Sequence, residues 1–161
     1  MGQGQPAGAA MIELRFEADI RADAEQVFSL LVELRDYDRW LPKSMAFHGT
    51  TRISEGPIGL GTTYVEDSPV GVRRGVVTGM IRPTALHFEQ PMTLKPKALG
   101  SVGIRLFHTL TPGAGSVHVL RRLELEPRGA VRLVMPWVSQ GFRVENERMM
   151  RALKAFAEDR P

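Results

Sequence analysis

Between Met45 and Glu126 the chain sustains no helical period; short alternating runs are cut instead by turn residues. Gly56–Gly59 with Gly61 marks one break, Ser68–Gly71 another, Arg82–Thr84 a third and Pro112–Ser116 a fourth. Between them the pattern predicts strands at 47–53, 61–67, 72–81, 86–89, 102–110 and 117–126. Parallel neighbours would need long crossover connections, and these links are short. The strands therefore form an antiparallel meander.

A seventh strand precedes this block. Ile12, Leu14, Phe16, Ala18 and Ile20 share one face while Glu13, Arg15, Glu17 and Asp19 share the other, the period of a half-buried strand. Asp23 is placed to cap a helix, Gln26 stands at the capping-box position, and Val27, Leu30, Leu31 and Leu34 recur at helical spacing. That predicts a helix over about 23–34, followed by a short helical turn over 36–42 that Pro42 ends.

Gln90–Gly100 breaks the strand rhythm. Pro91 and Pro96 argue against a central strand, and the segment mixes Met92, Leu94 and Leu99 with Lys95 and Lys97. The segment reads as a mobile loop at the mouth of a pocket. Beyond it, Pro136 suits a first helical turn, and Val138, Phe142, Glu145, Met149, Leu153 and Phe156 follow at steps of three and four. A helix from Pro136 to Asp159 would cross a whole small domain, at about 1.5 Å per residue. Gly141 would weaken it or let it approach the sheet closely. The fold class is thus α+β, with a curved seven-stranded antiparallel sheet, two short helices after the first strand and a long C-terminal helix.

At 161 residues the chain fits one domain, taken as 11–159, after a glycine-rich segment at 1–10 that reads as a flexible leader. Cysteine is absent, which excludes disulfides and thiolate metal sites and suits a reducing, cytoplasmic setting. The four histidines show no metal-ligand spacing, and no phosphate-binding or nucleophile-elbow motif occurs, so neither metal nor cofactor is expected. A formal charge of +3 without long like-charge runs argues against nucleic acid. No apolar run is long enough for stable membrane insertion. A monomer or homodimer is expected.

The element order, with the stretches Ile20–Phe28, Asp36–Pro42, Gly59–Gly61, Gly75–Pro83 and Leu153–Glu158, resembles the START-like superfamily. This group includes polyketide cyclase/dehydrase-like, Bet v 1-type and lipid-transfer proteins with a helix-grip fold. The resemblance implies an elongated cavity between sheet and C-terminal helix that accepts apolar or aromatic molecules. In aromatic polyketide cyclases of this fold it also implies cavity arginines and a tyrosine that polarise carbonyls. Arg73, Arg74, Arg82, Arg105 and Arg121 lie on predicted strands here, with no residue-by-residue match to a cyclase motif.

Within that frame Glu145 draws attention as a carboxylate on an apolar helix stripe, where it needs a partner or a raised pKa. Arg121 is a candidate partner, sharing strand parity with Val117, Val119, Leu123 and Leu125. His108 shares the inward parity of Ile104 and Leu106. Trp40, Tyr64 and Trp137 combine an apolar body with one polar atom, which suits recognition of a small ligand. Phe142 and Met149 supply apolar wall. The function expected is binding or transport of a hydrophobic small molecule, lipid-like or aromatic, in an internal cavity. The alternative is a cyclase/dehydrase-type enzyme using the same polar groups for acid/base chemistry.

Overall fold

The computed structural model describes residues 11–159; the predicted leader at 1–10 lies outside them. The first strand, β1 (Ile12–Ile20), buries Leu14, Phe16 and Ile20 and exposes the acids and the arginine between them. Asp23 then caps α1 (Ala24–Val32), accepting a hydrogen bond from the Glu25 amide at 3.1 Å. Gln26 does not complete a capping box. Its side-chain amide donates to the Ala157 carbonyl at 3.3 Å and ties α1 to the end of the chain. A 3-10 turn at Leu34–Arg39 follows.

The sheet continues with β2 (Thr63–Ser68), β3 (Gly71–Ile81), β4 (Ala85–Glu89), β5 (Met92–Leu94), β6 (Ser101–Pro112) and β7 (Val117–Arg128). All pairings are antiparallel, in the order β1-β7-β6-β4-β3-β2, with β5 pairing β3 and β6. Seven strands are present, but not the seven expected. Residues 47–53 form only an isolated bridge between Thr51 and Val65, because positive backbone φ angles at Gly49 and Arg52 break the extended conformation on both sides of it. Their place is taken by β5, inside the segment predicted as a loop.

The prolines did not exclude that strand. Glu89 pairs Val76 and Arg105, and Met92 pairs Arg73 and Val102, so beyond the irregularity at Val77–Gly79 the end of β4 and β5 keep one register against both neighbours. Between them Gln90 donates to the Ile104 carbonyl at 2.9 Å, and the Pro91 carbonyl accepts from the Arg74 amide at 3.1 Å. A proline lacks only the donor, and one missing ladder bond is tolerated where the rest of the strand is paired. Pro96 falls beyond β5, at the start of a 3-10 turn over Lys97–Leu99.

A 3-10 turn at Ala130–Val134 leads into α2 (Met135–Glu158), with Pro136 in its first turn. Its buried residues are Met135, Asn146, Met149, Met150, Leu153 and Ala157, and α2 packs on β1 and α1. The buried face is therefore rotated by about one residue from the predicted stripe: Asn146, not Glu145, points most directly into the protein. Gly141 is exposed with open space around it and makes no close approach to the sheet. The core gathers Val27, Phe28 and Leu31 of α1, Leu153 of α2 and the inward residues of β1, β6 and β7. No helix among the described residues is long and apolar enough to cross a membrane.

Candidate functional site

A cavity of about 60 Å³ lies between the concave face of the sheet, the 34–47 segment and the first half of α2. Tyr64 and Glu66 of β2, Arg73 of β3, Phe88 of β4, Gln90, Leu106 of β6 and Arg121 of β7 reach it from the sheet. Tyr37, Leu41 and Phe47 close one side, and Phe142, Glu145, Asn146 and Met149 of α2 cover it. This volume has room for a few water molecules and is well below the roughly 300 Å³ at which drug-sized ligand pockets begin. The bulky wall residues occupy most of the space that the resemblance led us to expect.

The polar centre of the cavity is Arg121. Its Nε donates to Asn146 Oδ1 at 2.7 Å, and its Nη1 lies 2.6 Å from His108 Nε2. Nδ1 of His108 is 3.3 Å from the Leu86 carbonyl oxygen, which can only accept, so Nδ1 carries the proton and Nε2 accepts from the guanidinium. Asn146 is oriented in turn by its own amide, which donates to the Phe142 carbonyl at 2.8 Å. Two neutral groups, each fixed by a backbone carbonyl, therefore aim one cation.

Burial, and then the charge of Arg121, hold the His108 imidazole neutral, with its pKa well below the ordinary histidine value. Burial above all, with a contribution from the nearby charge of Arg73, brings the Arg121 pKa down to about 10, which still leaves it charged at neutral pH. The other charges are paired. Glu66 meets Arg73 at 2.9 Å and accepts from Thr50 Oγ1 at 3.1 Å. Glu145 accepts from Ser44 Oγ at 2.9 Å and is bound by the Arg148 guanidinium, which also reaches the Pro42 carbonyl at 2.7 Å. Arg121 forms no ion pair among the described residues; its side-chain partners are Asn146 and His108. The cavity wall thus carries one buried, oriented cation without an ion-pair partner, its charge eased only at longer range by Glu66.

Two phenols add neutral donors. Tyr64 donates to Gln90 Oε1 at 2.7 Å, and Tyr37 donates to the Leu31 carbonyl. Burial, reinforced by the charge of Glu66, raises both phenol pKa values, so neither ionises near neutrality.

A family model described as polyketide cyclase/dehydrase and lipid transport matches residues 11–158. The chain belongs to this family. Among solved structures, a truncated norcoclaurine synthase from Thalictrum flavum superposes with a TM-score of 0.72 at 15% identity, over 98% of this chain and 99% of that one. The di-domain aromatase/cyclase StfQ of the steffimycin biosynthetic pathway superposes with a TM-score of 0.73 at 14% identity. That match covers 94% of this chain and 52% of StfQ. A START superfamily protein from Mycobacterium smegmatis gives 0.66 at 15% identity, covering 91% of this chain and 97% of its own. No curated protein matches. At these identities the likeness establishes the helix-grip fold of this polyketide cyclase/dehydrase and lipid transport family member, and no activity.

Of the residues singled out in the sequence, Tyr64, Arg121, Phe142, Glu145 and Met149 line the cavity, and His108 stands directly behind Arg121. Two do not join them. Trp40 is buried under the 3-10 turn, edge-on to Tyr37 with ring centroids 5.3 Å apart, and faces a separate surface groove. Trp137 is 73% exposed on the outer face of α2. The candidate pairing of Glu145 with Arg121 is replaced by Glu145–Arg148. Of the two outcomes open to this carboxylate, a partner or a raised pKa, the structure takes the first. Burial pushes the Glu145 carboxyl up, but hydrogen bonds from Arg148 and Ser44 and the charge of Arg148 outweigh it and leave the pKa lowered. Tyr37, Glu66, Gln90 and Asn146 are not among the expected residues, and Arg73 is one of five strand arginines that the sequence does not distinguish. For Glu66 the signal was present: it shares the inward parity of Tyr64 on β2.

Proposed function

We propose that the protein binds a small apolar or aromatic molecule bearing a carbonyl or carboxylate oxygen, with that oxygen set on the Arg121 guanidinium. The observation that carries this reading is the absence of an ion-pair partner for the buried Arg121 charge. A buried cation is costly unless something neutralises it. Here His108 and Asn146 orient the guanidinium, yet neither supplies negative charge. An anionic or strongly polarised oxygen would complete the site, and Phe88, Leu106, Phe142 and Met149 would cover the apolar remainder of the ligand. The small cavity favours a compact ligand over a long acyl chain.

A cyclase/dehydrase-type reaction is the second reading. Arg121 favours it, because a fixed cation beside a ketone oxygen would stabilise an enolate as it forms. The state of the candidate bases speaks against it. The His108 lone pair is engaged by Arg121, and Glu66 and Glu145 are already ion-paired. Binding is therefore the primary reading.

Native mass spectrometry of the freshly purified protein, followed by organic extraction, tests it, together with titration of aromatic carboxylates and ketones against the protein and Arg121→Gln. A carbonyl- or carboxylate-bearing aromatic that binds the native protein and is lost in the folded variant is the expected result. Equal binding by the variant would remove Arg121 from the site. Turnover of a bound ketone would move the protein to the enzyme reading.

A further inference from the structure

The outer face of α2 and the turn before it carry a second feature, independent of what fills the cavity. Leu133 is 82% exposed, Trp137 73% and Val144 53%, and they follow one another along the solvent side of the chain. The loop at 42–46 is fastened beside them by the Ser44–Glu145 and Arg148–Pro42 hydrogen bonds, which brings up Met45, 66% exposed, and the exposed Lys43. Scattered exposed apolar residues need no explanation, but Trp137 and Val144 on one face of α2, with Leu133 in the turn before it and Met45 on the loop fastened to it, do.

Charge says what covers them. Residues 127–144 contain Arg128, Arg132 and Arg143 and no Asp or Glu. The other 18 basic residues of the chain are matched by its 18 acidic ones, so the whole formal excess of +3 sits in this segment. Arg128 reaches Glu126 at 3.4 Å, whereas Arg132 and Arg143 are exposed and form no ion pair among the described residues. A second copy of the chain, docking the same face on itself, would bring like charges together with no acid from that segment to meet them. A single-stranded nucleic acid would want several stacking rings, and the patch offers one aromatic among aliphatic side chains. An interface that is oily below and negative above fits both features: tryptophan favours the head-group level of a bilayer, and basic residues favour anionic lipids.

We propose that this face docks the protein reversibly on an anionic lipid bilayer, with Leu133, Trp137, Val144 and Met45 entering the interfacial layer and Arg132 and Arg143 meeting the head groups. Nothing crosses the membrane. The same turns of α2 that face the bilayer on one side present Phe142 and Asn146 to the cavity on the other, so docking would set the cavity cover at the lipid surface.

The test is co-sedimentation of the full-length protein with phosphatidylcholine vesicles prepared with and without phosphatidylglycerol, with tryptophan emission recorded in parallel. The expected result is binding to the anionic vesicles, weakened by salt, with a blue shift that disappears in Trp137→Phe, because Trp40 is already buried. Arg132→Gln with Arg143→Gln should weaken binding about 30-fold, at the usual contribution of a basic residue near an anionic surface. All the substituted side chains are exposed, so unchanged circular dichroism and thermal midpoint are the folding control. Absence of binding at low salt, or equal binding by Leu133→Ser with Trp137→Ser, would overturn the proposal. So would sedimentation of the protein alone as a dimer that Trp137→Ser dissociates, or an emission shift produced by RNA or by an acidic protein and not by vesicles.

Discussion

The Nη1 atom of Arg121 lies 2.6 Å from Nε2 of His108, so the one free lone pair of the imidazole is engaged by the guanidinium. Protonating His108 would break that bond and place two buried cations in contact. The imidazole should therefore remain the Nδ1–H tautomer throughout the neutral range, its nitrogen resonances titrating only well below the ordinary histidine value near 6.5. Heteronuclear NMR of the side chain checks this; a titration near 6.5 would mean that the contact does not persist.

The same group sets a pH dependence of stability. Its folded pKa is depressed, so between that value and about 6.5 the unfolded chain binds the extra proton. Stability should be full above this window and fall as pH drops through it. His118 acts in the opposite sense, because its hydrogen bond to Asp19 raises its pKa, but it is exposed and its effect is screened. The comparison to make is the acid dependence of the thermal midpoint in native protein and in His108→Gln. The variant should lose this part of the slope. His108→Leu should in addition cost about 1–3 kcal/mol, because it leaves an Arg121 donor buried without an acceptor.

Asn146→Asp tests the charge argument directly. The new carboxylate would stand where Asn146 Oδ1 now accepts from Arg121 Nε at 2.7 Å, supplying the missing counter-charge from within the protein. Affinity for carboxylate ligands, measured by calorimetry, should fall at least tenfold, at about 1.4 kcal/mol per decade. Neutral apolar ligands should be much less affected. Unchanged carboxylate affinity would separate the ligand from Arg121.

Tyr64 and Gly75 face one another across β2 and β3, and a Cβ added at Gly75 would stand 2.1 Å from Tyr64 Cζ. The glycine is the floor on which the phenol lies. Gly75→Ala should force the ring away from Gln90 and cost about 1–3 kcal/mol by overpacking. In a Tyr64→Ser background the same substitution should be nearly neutral, a non-additivity read from denaturant unfolding of the double-mutant cycle.

Glu145→Gln removes an ion pair that is partly exposed. Its cost should not exceed about 1 kcal/mol, a thermal shift of about 2–4 °C for a chain of this size. Because the folded carboxyl pKa is lowered, the pair contributes above the ordinary carboxylate range and is lost as pH falls through the folded value. The variant should differ from native protein at neutral pH and converge with it in acid. Loss of ligand affinity in step with Arg121→Gln would give Glu145 a direct role that its geometry does not suggest.

What was legible in the sequence follows from how each signal arises. The alternation of β1, β6 and β7 is a direct image of one buried and one solvated face, so their inward residues, Arg121 and His108 included, could be identified from parity. Residues 47–53 look like a strand because β-type composition says nothing of the φ at Gly49 or Arg52. The Met92–Leu94 strand is hidden in the sequence because Pro91 advertises a missing donor, whereas the neighbours that pair around it are visible only in the fold. On α2, steps of three and four fit a stripe through Glu145 almost as well as one through Asn146. Only contact with the sheet distinguishes two faces one residue apart. The site was missed most where it depends on side chains that meet across distant segments, as Asn146 meets Arg121.

The unbroken register from β4 into β5 has a consequence for entry into the cavity. A strand held on both flanks has no slack, and a slip by one residue would turn its buried side chains outward. The sheet is thus the fixed wall of the vessel, and any gain in volume falls to the opposite wall, α2 and the loop before β2. Ser44 on Glu145 and Arg148 on Pro42 fasten the two parts of that wall to each other, the first half-buried and the second exposed, while Arg73 on Ala46 and Arg121 on Asn146 tie them to the sheet. Admission of a guest larger than the resting space is then a matter of polar clasps opening and closing.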